Sequence, residues 1–221
     1  MKRNTLLVLS FILMMAALYL IFLYAPIEKE MKLVQKIFYL MVPMGWLAML
    51  AFIVTAVGGI LFLVKKSDKW DILAYSSGEV GIVFTTLALA TGSIWAKPVW
   101  GVWWDWGTPR LTSTLILWFI YLAYFLVRNL SAEEHRGATF AAVVSIVGLA
   151  DIPVIVLATS LWQGLHPPPL IFQSGGLDPK MRVALMTSVI AFTVFYVVLL
   201  MFRTSLRYDE AELKRLKEQS Q

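Results

Sequence analysis

The sequence predicts an all-α polytopic membrane protein with six transmembrane helices, and three observations lead there. Of its 221 residues, 59% are hydrophobic and 15% charged, whereas a soluble domain carries about a quarter charged residues. The apolar residues gather into six long runs, each near the roughly 20 residues a helix needs to cross a bilayer. Short charged links such as KKSDKWD and RNLSAEEHRG separate the runs.

The first run, 5–25, follows Met1-Lys2-Arg3-Asn4. It is longer than a signal-peptide core and lacks a small-residue cleavage site, so it reads as a retained span. The second, 37–64, stops at Lys65-Lys66 and carries Pro43 in its first two turns, a kink that neighbouring helices can accommodate. The third, 72–94, is rich in small residues: Ser76, Ser77, Gly78, Gly81, Ala88, Ala90 and Gly92. Small side chains let helices approach closely in lipid, which predicts a central place in the bundle. The fourth covers 111–127, and the fifth, 138–160, contains Asp151 and Pro153. The sixth covers 182–202, and 203–221 reads as a cytoplasmic polar tail forming an amphipathic surface helix. No internal repeat or low-complexity linker divides the chain, so 1–221 reads as one membrane domain.

Lys and Arg near the span ends set the orientation. Twelve lie on the side of the termini: Lys2, Arg3, Lys65, Lys66, Lys69, Arg128, Arg136, Arg203, Arg207, Lys214, Arg215 and Lys217. Seven lie on the other: Lys29, Lys32, Lys36, Lys97, Arg110, Lys180 and Arg182. This bias predicts cytoplasmic termini. The net charge of +5 suits a membrane lipid surface better than nucleic acid. With no Cys, the chain can form no disulfide, thiolate metal site or CxxCH haem attachment. No Walker, HExxH, GxSxG or paired-carboxylate arrangement is present, so the chain is not expected to be an enzyme.

The stretch 95–113, WAKPVWGVWWDWGTPRLTS, holds Trp95, Trp100, Trp103, Trp104 and Trp106, five of the nine tryptophans. Pro98 and Pro109 each remove a backbone donor and Gly101 and Gly107 loosen the chain, so it cannot be one uninterrupted helix. Tryptophan anchors at the membrane interface, or packing within a span, account for Trp46, Trp70, Trp118 and Trp162. An anchor needs one or two rings, however, and the alternative for the cluster is a platform for a flat apolar ligand. A planar macrocycle is the natural candidate, because its rings can lie on the indoles while Arg110 and Lys97 meet its acidic substituents.

Two histidines are present. His135, in EEHRG, reads as a solvated surface residue. His166 opens the outer Pro-rich loop HPPP on the same face as the Trp stretch, where three prolines limit the cost of holding an imidazole. It is either structural or an axial ligand for haem iron. Asp151 is an acid at mid-span, serving a helix–helix hydrogen bond beside the Pro153 break or a proton or substrate role. Glu79 reads as close enough to the cytoplasmic end to be hydrated.

GEVGIVFTTLALATGSIWAKPVWGVWWDWGTPRLTS, 78–113, resembles the WWD-type Trp-rich signature of the haem-handling membrane proteins of cytochrome c maturation. KIFYLMVPMGW (36–46) and DIPVIVLATSLWQGLHPPP (151–169) extend the similarity to the CcmC (HelC), haem exporter protein C, family over nearly the whole chain. The resemblance implies non-covalent, transient binding of haem b at the outer face of the bacterial cytoplasmic (inner) membrane. It further implies haem transfer to the periplasmic chaperone CcmE, with CcmD and the ABC unit of CcmA with CcmB as partners. In that family the Trp segment supports the ring and two outer histidines ligate the iron. The second matches His166, and the first falls on Met41, in YLMVP where the family has YLHVP. Met41 is then either a second axial ligand or a space-filler. A further departure is Asp105, which precedes Trp106 where the family places Asp after the last Trp. Two other readings stay open: a transport subunit for another amphipathic substrate, using Asp151 and the Pro153 break, and a maturation-complex scaffold without direct haem ligation.

Overall fold

The computed structural model describes residues 2–29, 31–131, 133–161 and 177–220, and these are helical apart from short links, with no β-strand among them. Helix α1, Lys2–Tyr19, ends in a π-helical turn, Leu20–Tyr24, closed by the Ala25 amide on the Leu20 carbonyl at 2.8 Å. The Lys36 ammonium donates to the Phe22 carbonyl at 2.7 Å, satisfying one of the acceptors left at this helix end. Then come α2, Gln35–Lys65; α3, Asp68–Trp100; α4, Pro109–Leu130; α5, Glu134–Leu149; α6, Asp151–Leu161; and α7, Pro179–Gln219. With α5 and α6 taken together, six helical segments are long and apolar enough to cross a membrane. Large apolar side chains such as Phe11, Leu23, Val64 and Leu126 lie exposed along them, a surface suited to lipid and not to water. The chain is an all-α multi-pass membrane protein.

Three boundaries differ from the sequence expectation. Helix α3 does not stop at 94 but runs through Pro98 to Trp100. A proline this close to a helix C-terminus deletes only the bond to the Ile94 carbonyl, and its fixed φ is compatible with the turn. The fifth span is two helices that meet at Ala150, whose amide turns back to the Val147 carbonyl at 3.2 Å. Pro153 has no N–H for the Leu149 carbonyl, so the α-helical ladder cannot continue through this point. Finally, the polar tail is no separate surface helix: α7 is one continuous helix of 41 residues, about 60 Å long at 1.5 Å per residue. No Gly or Pro interrupts 180–219.

Helices α2 and α3 form the centre, with α2 against α3, α5 and α7, and α3 against α2, α4 and α7. The small residues of α3 make this possible. A Cβ at Gly81 would lie 2.3 Å from the Tyr121 hydroxyl. That hydroxyl donates to the Ala48 carbonyl at 3.0 Å, and the Tyr121 ring meets Phe52 edge-on at 4.4 Å. Phe52, Leu117, Tyr121, Ile152 and Ile155 form a buried layer across α2, α4 and α6. One turn earlier on the same face of α3, Ser77 donates to the Ala51 carbonyl at 2.7 Å and shares a 2.8 Å bond with the Tyr196 hydroxyl of α7.

Charged residues gather at the bundle end that holds both termini. Arg128 forms a two-pronged pair with Asp71, both N–O distances 2.5 Å. Glu79 is not left to water: Arg203 binds it at 2.5 and 2.7 Å and Arg207 at 2.9 Å. The Arg128 and Arg207 guanidinium carbons sit 4.6 and 3.9 Å from the Tyr75 ring centre. These contacts tie the continuation of α7 to α3, which explains why the tail follows the helix axis instead of folding onto the surface. A cleft of about 440 Å³ opens beside them, lined in part by Phe62, Tyr75 and His135.

Candidate functional site

The Trp stretch is built at the opposite end, where α3 gives way to α4. Gly101 ends α3 in the left-handed region, φ 80°, where a side chain is strained. Its amide donates to the Lys97 carbonyl at 3.0 Å, and the Lys97 ammonium reaches its carbonyl at 2.8 Å. Lys97, expected to meet an acidic ligand, therefore caps the helix in this structure. Asp105 organises the next turn. One carboxylate oxygen accepts the Gly107 amide at 3.1 Å, the other accepts the Thr108 hydroxyl at 2.5 Å, and its carbonyl accepts the Thr108 amide at 3.3 Å. Pro109 is the first residue of α4, where its missing donor costs nothing. One turn on, the Thr112 hydroxyl donates to the Trp106 carbonyl at 3.2 Å.

The five indoles divide into different environments. Trp95 is buried and meets Trp100 edge-on, centroids 5.3 Å apart and planes at 84°. Trp104, half-buried, meets Trp106 at 5.7 Å and 63°. Trp103 and Trp106 stand out, 59% and 71% exposed, beside exposed Val102. The span tryptophans Trp46 and Trp118 donate their indole N–H groups to Thr193 and Thr86 of neighbouring helices, at 3.2 and 2.8 Å. By contrast, the Nε1 atoms of Trp95 and Trp104 are buried with no hydrogen-bond partner among the described residues, a condition they share with Trp70 at the other end.

Met41 and Arg110 flank this group. Met41, half-buried in the second turn of α2, places its sulfur 3.7 Å from where a Cβ would stand on Gly92, one turn before Trp95 on α3. Arg110, the second residue of α4, is half-buried, and no ion pair joins it to a carboxylate among the described residues. The structure thus brings Met41, Trp95, Trp100, Trp103, Trp104, Trp106 and Arg110 to one end of the bundle. His166, Trp162 and the three prolines lie outside the described residues.

The family model described as Heme exporter protein C matches residues 2–219. The chain belongs to that family. It is 35% identical over 177 residues to Heme exporter protein C of Bradyrhizobium diazoefficiens, covering 79% of this chain and 67% of that one. It is 30% identical to the Rhodobacter capsulatus protein of the same name, with 89% and 82% covered. A Marchantia polymorpha protein named putative cytochrome c biosynthesis ccmC-like mitochondrial protein is 35% identical, with 72% and 67% covered.

The residues fit the group that the exporter family's name implies. Two buried indole donors without acceptors and a half-buried guanidinium without a counter-ion among the described residues are costly left alone. A flat, apolar, acidic ligand answers all three. Sequence reasoning missed Asp105, Thr108 and Thr112 as the residues that shape the Trp loop. The signal available was a run of Asp, Gly, Thr and Pro, the chemistry of a turn running into a helix start. Asp151, at the α5–α6 break, has one carboxylate oxygen buried without a partner among the described residues, in a separate place next to the layer of Ile152 and Ile155. His135 is exposed, its ring 5.4 Å from that of Phe62.

Proposed function

We propose that this chain binds haem b at the outer face of the cytoplasmic membrane and promotes its transfer to a periplasmic haem chaperone of the CcmE type. The observation that carries this is the shaped Trp loop: two exposed rings, two buried indole donors and Arg110 at one end of the bundle, the donors and the guanidinium without partners among the described residues. Trp100, Trp103, Trp104 and Trp106 would pack on the macrocycle, with Trp95 supporting Trp100 from behind. Arg110 would neutralise a propionate, with Lys97 joining only if it leaves the Gly101 carbonyl. His166 would give one axial bond, with Met41 as the candidate for the other. Bound haem supplies its own redox and ligand-exchange chemistry, and the chain contributes seating, charge compensation and exclusion of water. Exposed Trp103 and Trp106 leave one side of the seat open to a receiver. CcmD and the CcmA–CcmB unit fit as partners on the family's pattern, since the chain has no nucleotide-binding motif.

The test is absorption spectroscopy of the purified protein in nanodiscs, with and without added hemin. A saturable Soret band that His166→Ala reduces several-fold is the expected result. A shift of the ligand-field bands in Met41→His would place residue 41 at the iron. No Soret band after hemin addition would sink the proposal. A weak band in a protein that still co-purifies with the ABC subunits would favour the scaffold role instead.

A further inference from the structure

Met41, Gly45, Ala48 and Phe52 follow one another at intervals of four, three and four residues along α2, so they share a face. The lower half of that face points between α4 and α6. The Ala48 carbonyl there accepts Tyr121, and Phe52 packs with Leu117, Ile152 and Ile155. The exposed residues Trp46, Val57, Ile60 and Val64 lie on a different face of the helix. Gly45 continues that face one turn beyond the closed layer, towards the end that carries the Trp loop, and is itself part-exposed. Among the described residues, nothing lies within 4 Å of a Cβ built on Gly45. The other α2 glycines contrast with it, since a Cβ at Gly58 meets Ala74 at 3.0 Å and one at Gly59 meets the Ser145 hydroxyl at 2.7 Å. Those two serve helix contact, whereas Gly45 meets no helix among the described residues.

Helix interiors disfavour glycine, so a mid-helix glycine that meets no neighbour among the described residues is not explained by helix packing. We propose that Gly45 sets how deeply the planar ligand seats: the missing side chain leaves room for its apolar rim, while Arg110 meets its acidic edge. This rests on the haem reading above, and assigns Gly45 as a residue that decides which macrocycles fit. A rim carrying methyl and vinyl groups suits such a place, and a rim carrying acids does not.

A graded series, Gly45→Ala, Gly45→Leu and Gly45→Phe, tests it, with hemin titrations of the protein in nanodiscs followed by the Soret band and by tryptophan quenching. The ligand-free variants are melted in parallel. Affinity is expected to fall less than threefold with Ala, at least tenfold with Leu, and beyond saturation with Phe, while melting temperatures hold or rise as the gap fills. Gly45→Phe binding hemin like the unaltered protein overturns the inference. So does a melting temperature lowered by several degrees in Gly45→Ala, because the space would then be occupied. Should the unaltered protein fail to bind hemin, the haem reading falls by itself, and the melting series still decides whether the gap exists.

Discussion

Removing the Asp105 carboxylate isolates the part of the site that shapes the Trp loop. Asp105→Ala deletes two hydrogen bonds to a charged acceptor, from the Gly107 amide and the Thr108 hydroxyl. Bonds of this kind contribute roughly 1.5 kcal/mol each at the low end of their range, the end suited to a half-exposed turn. Losing both costs about 3 kcal/mol of loop order, and Thr108→Val, which loses one, about half that. The six spans do not depend on this turn, so the melting temperature should barely move. Hemin affinity should fall by roughly 100-fold in Asp105→Ala and about tenfold in Thr108→Val, since each 1.4 kcal/mol is a factor of ten. Thr108→Ser keeps the hydroxyl and should bind like the unaltered protein. Exciton coupling between Trp104 and Trp106, visible in far-ultraviolet circular dichroism, should fade in parallel before any ligand is added. Hemin affinity within threefold of normal in Asp105→Ala, with that coupling intact, would refute the assignment.

Arg110→Gln should weaken hemin roughly tenfold, the modest end of measured coupling for close charge pairs, and leave the dimethyl ester of haem unaffected. Equal loss for both ligands would remove the propionate contact from the picture. Gly81→Ala drives a Cβ into the Tyr121 ring and should cost about 1–3 kcal/mol as overpacking, read as a drop of several degrees in a thermal melt. Arg128→Ala strands Asp71 and should destabilise by on the order of 3 kcal/mol, most of it recovered when Asp71→Asn is added. Asp151→Asn should leave hemin affinity within twofold of normal. If it instead abolishes movement of an amphipathic substrate in reconstituted vesicles, the transport reading gains.

The spans were legible because hydropathy acts locally, and lipid imposes a helix on any long apolar run. What misled was punctuation. Pro98 reads as a stop, yet its deleted bond falls in the last turn of α3, where the helix is ending anyway. The change of polarity at Arg203 reads as a boundary, but Glu79, more than 120 residues earlier, pins Arg203 and Arg207 and keeps α7 running. In the site, the tryptophans announced themselves by number. Their division into one buried ring, two half-buried rings and two exposed ones depends on α3 and α4 meeting, which no local pattern encodes. Asp105 was obscured because its part rests on bonds to Gly107 and Thr108 that exist only once the turn has formed. Gly45 was invisible because a glycine in an apolar helix has many reasons to be there.

The unbroken α7 has a mechanical consequence. Its last 17 residues, from Arg203 to Gln219, extend about 25 Å past the apolar stretch as a stalk without a hinge. The arginine clasp at Glu79 acts as a fulcrum rather than a joint. A push on the stalk's tip is thereby felt along the whole rod, up to Pro179 at its other end.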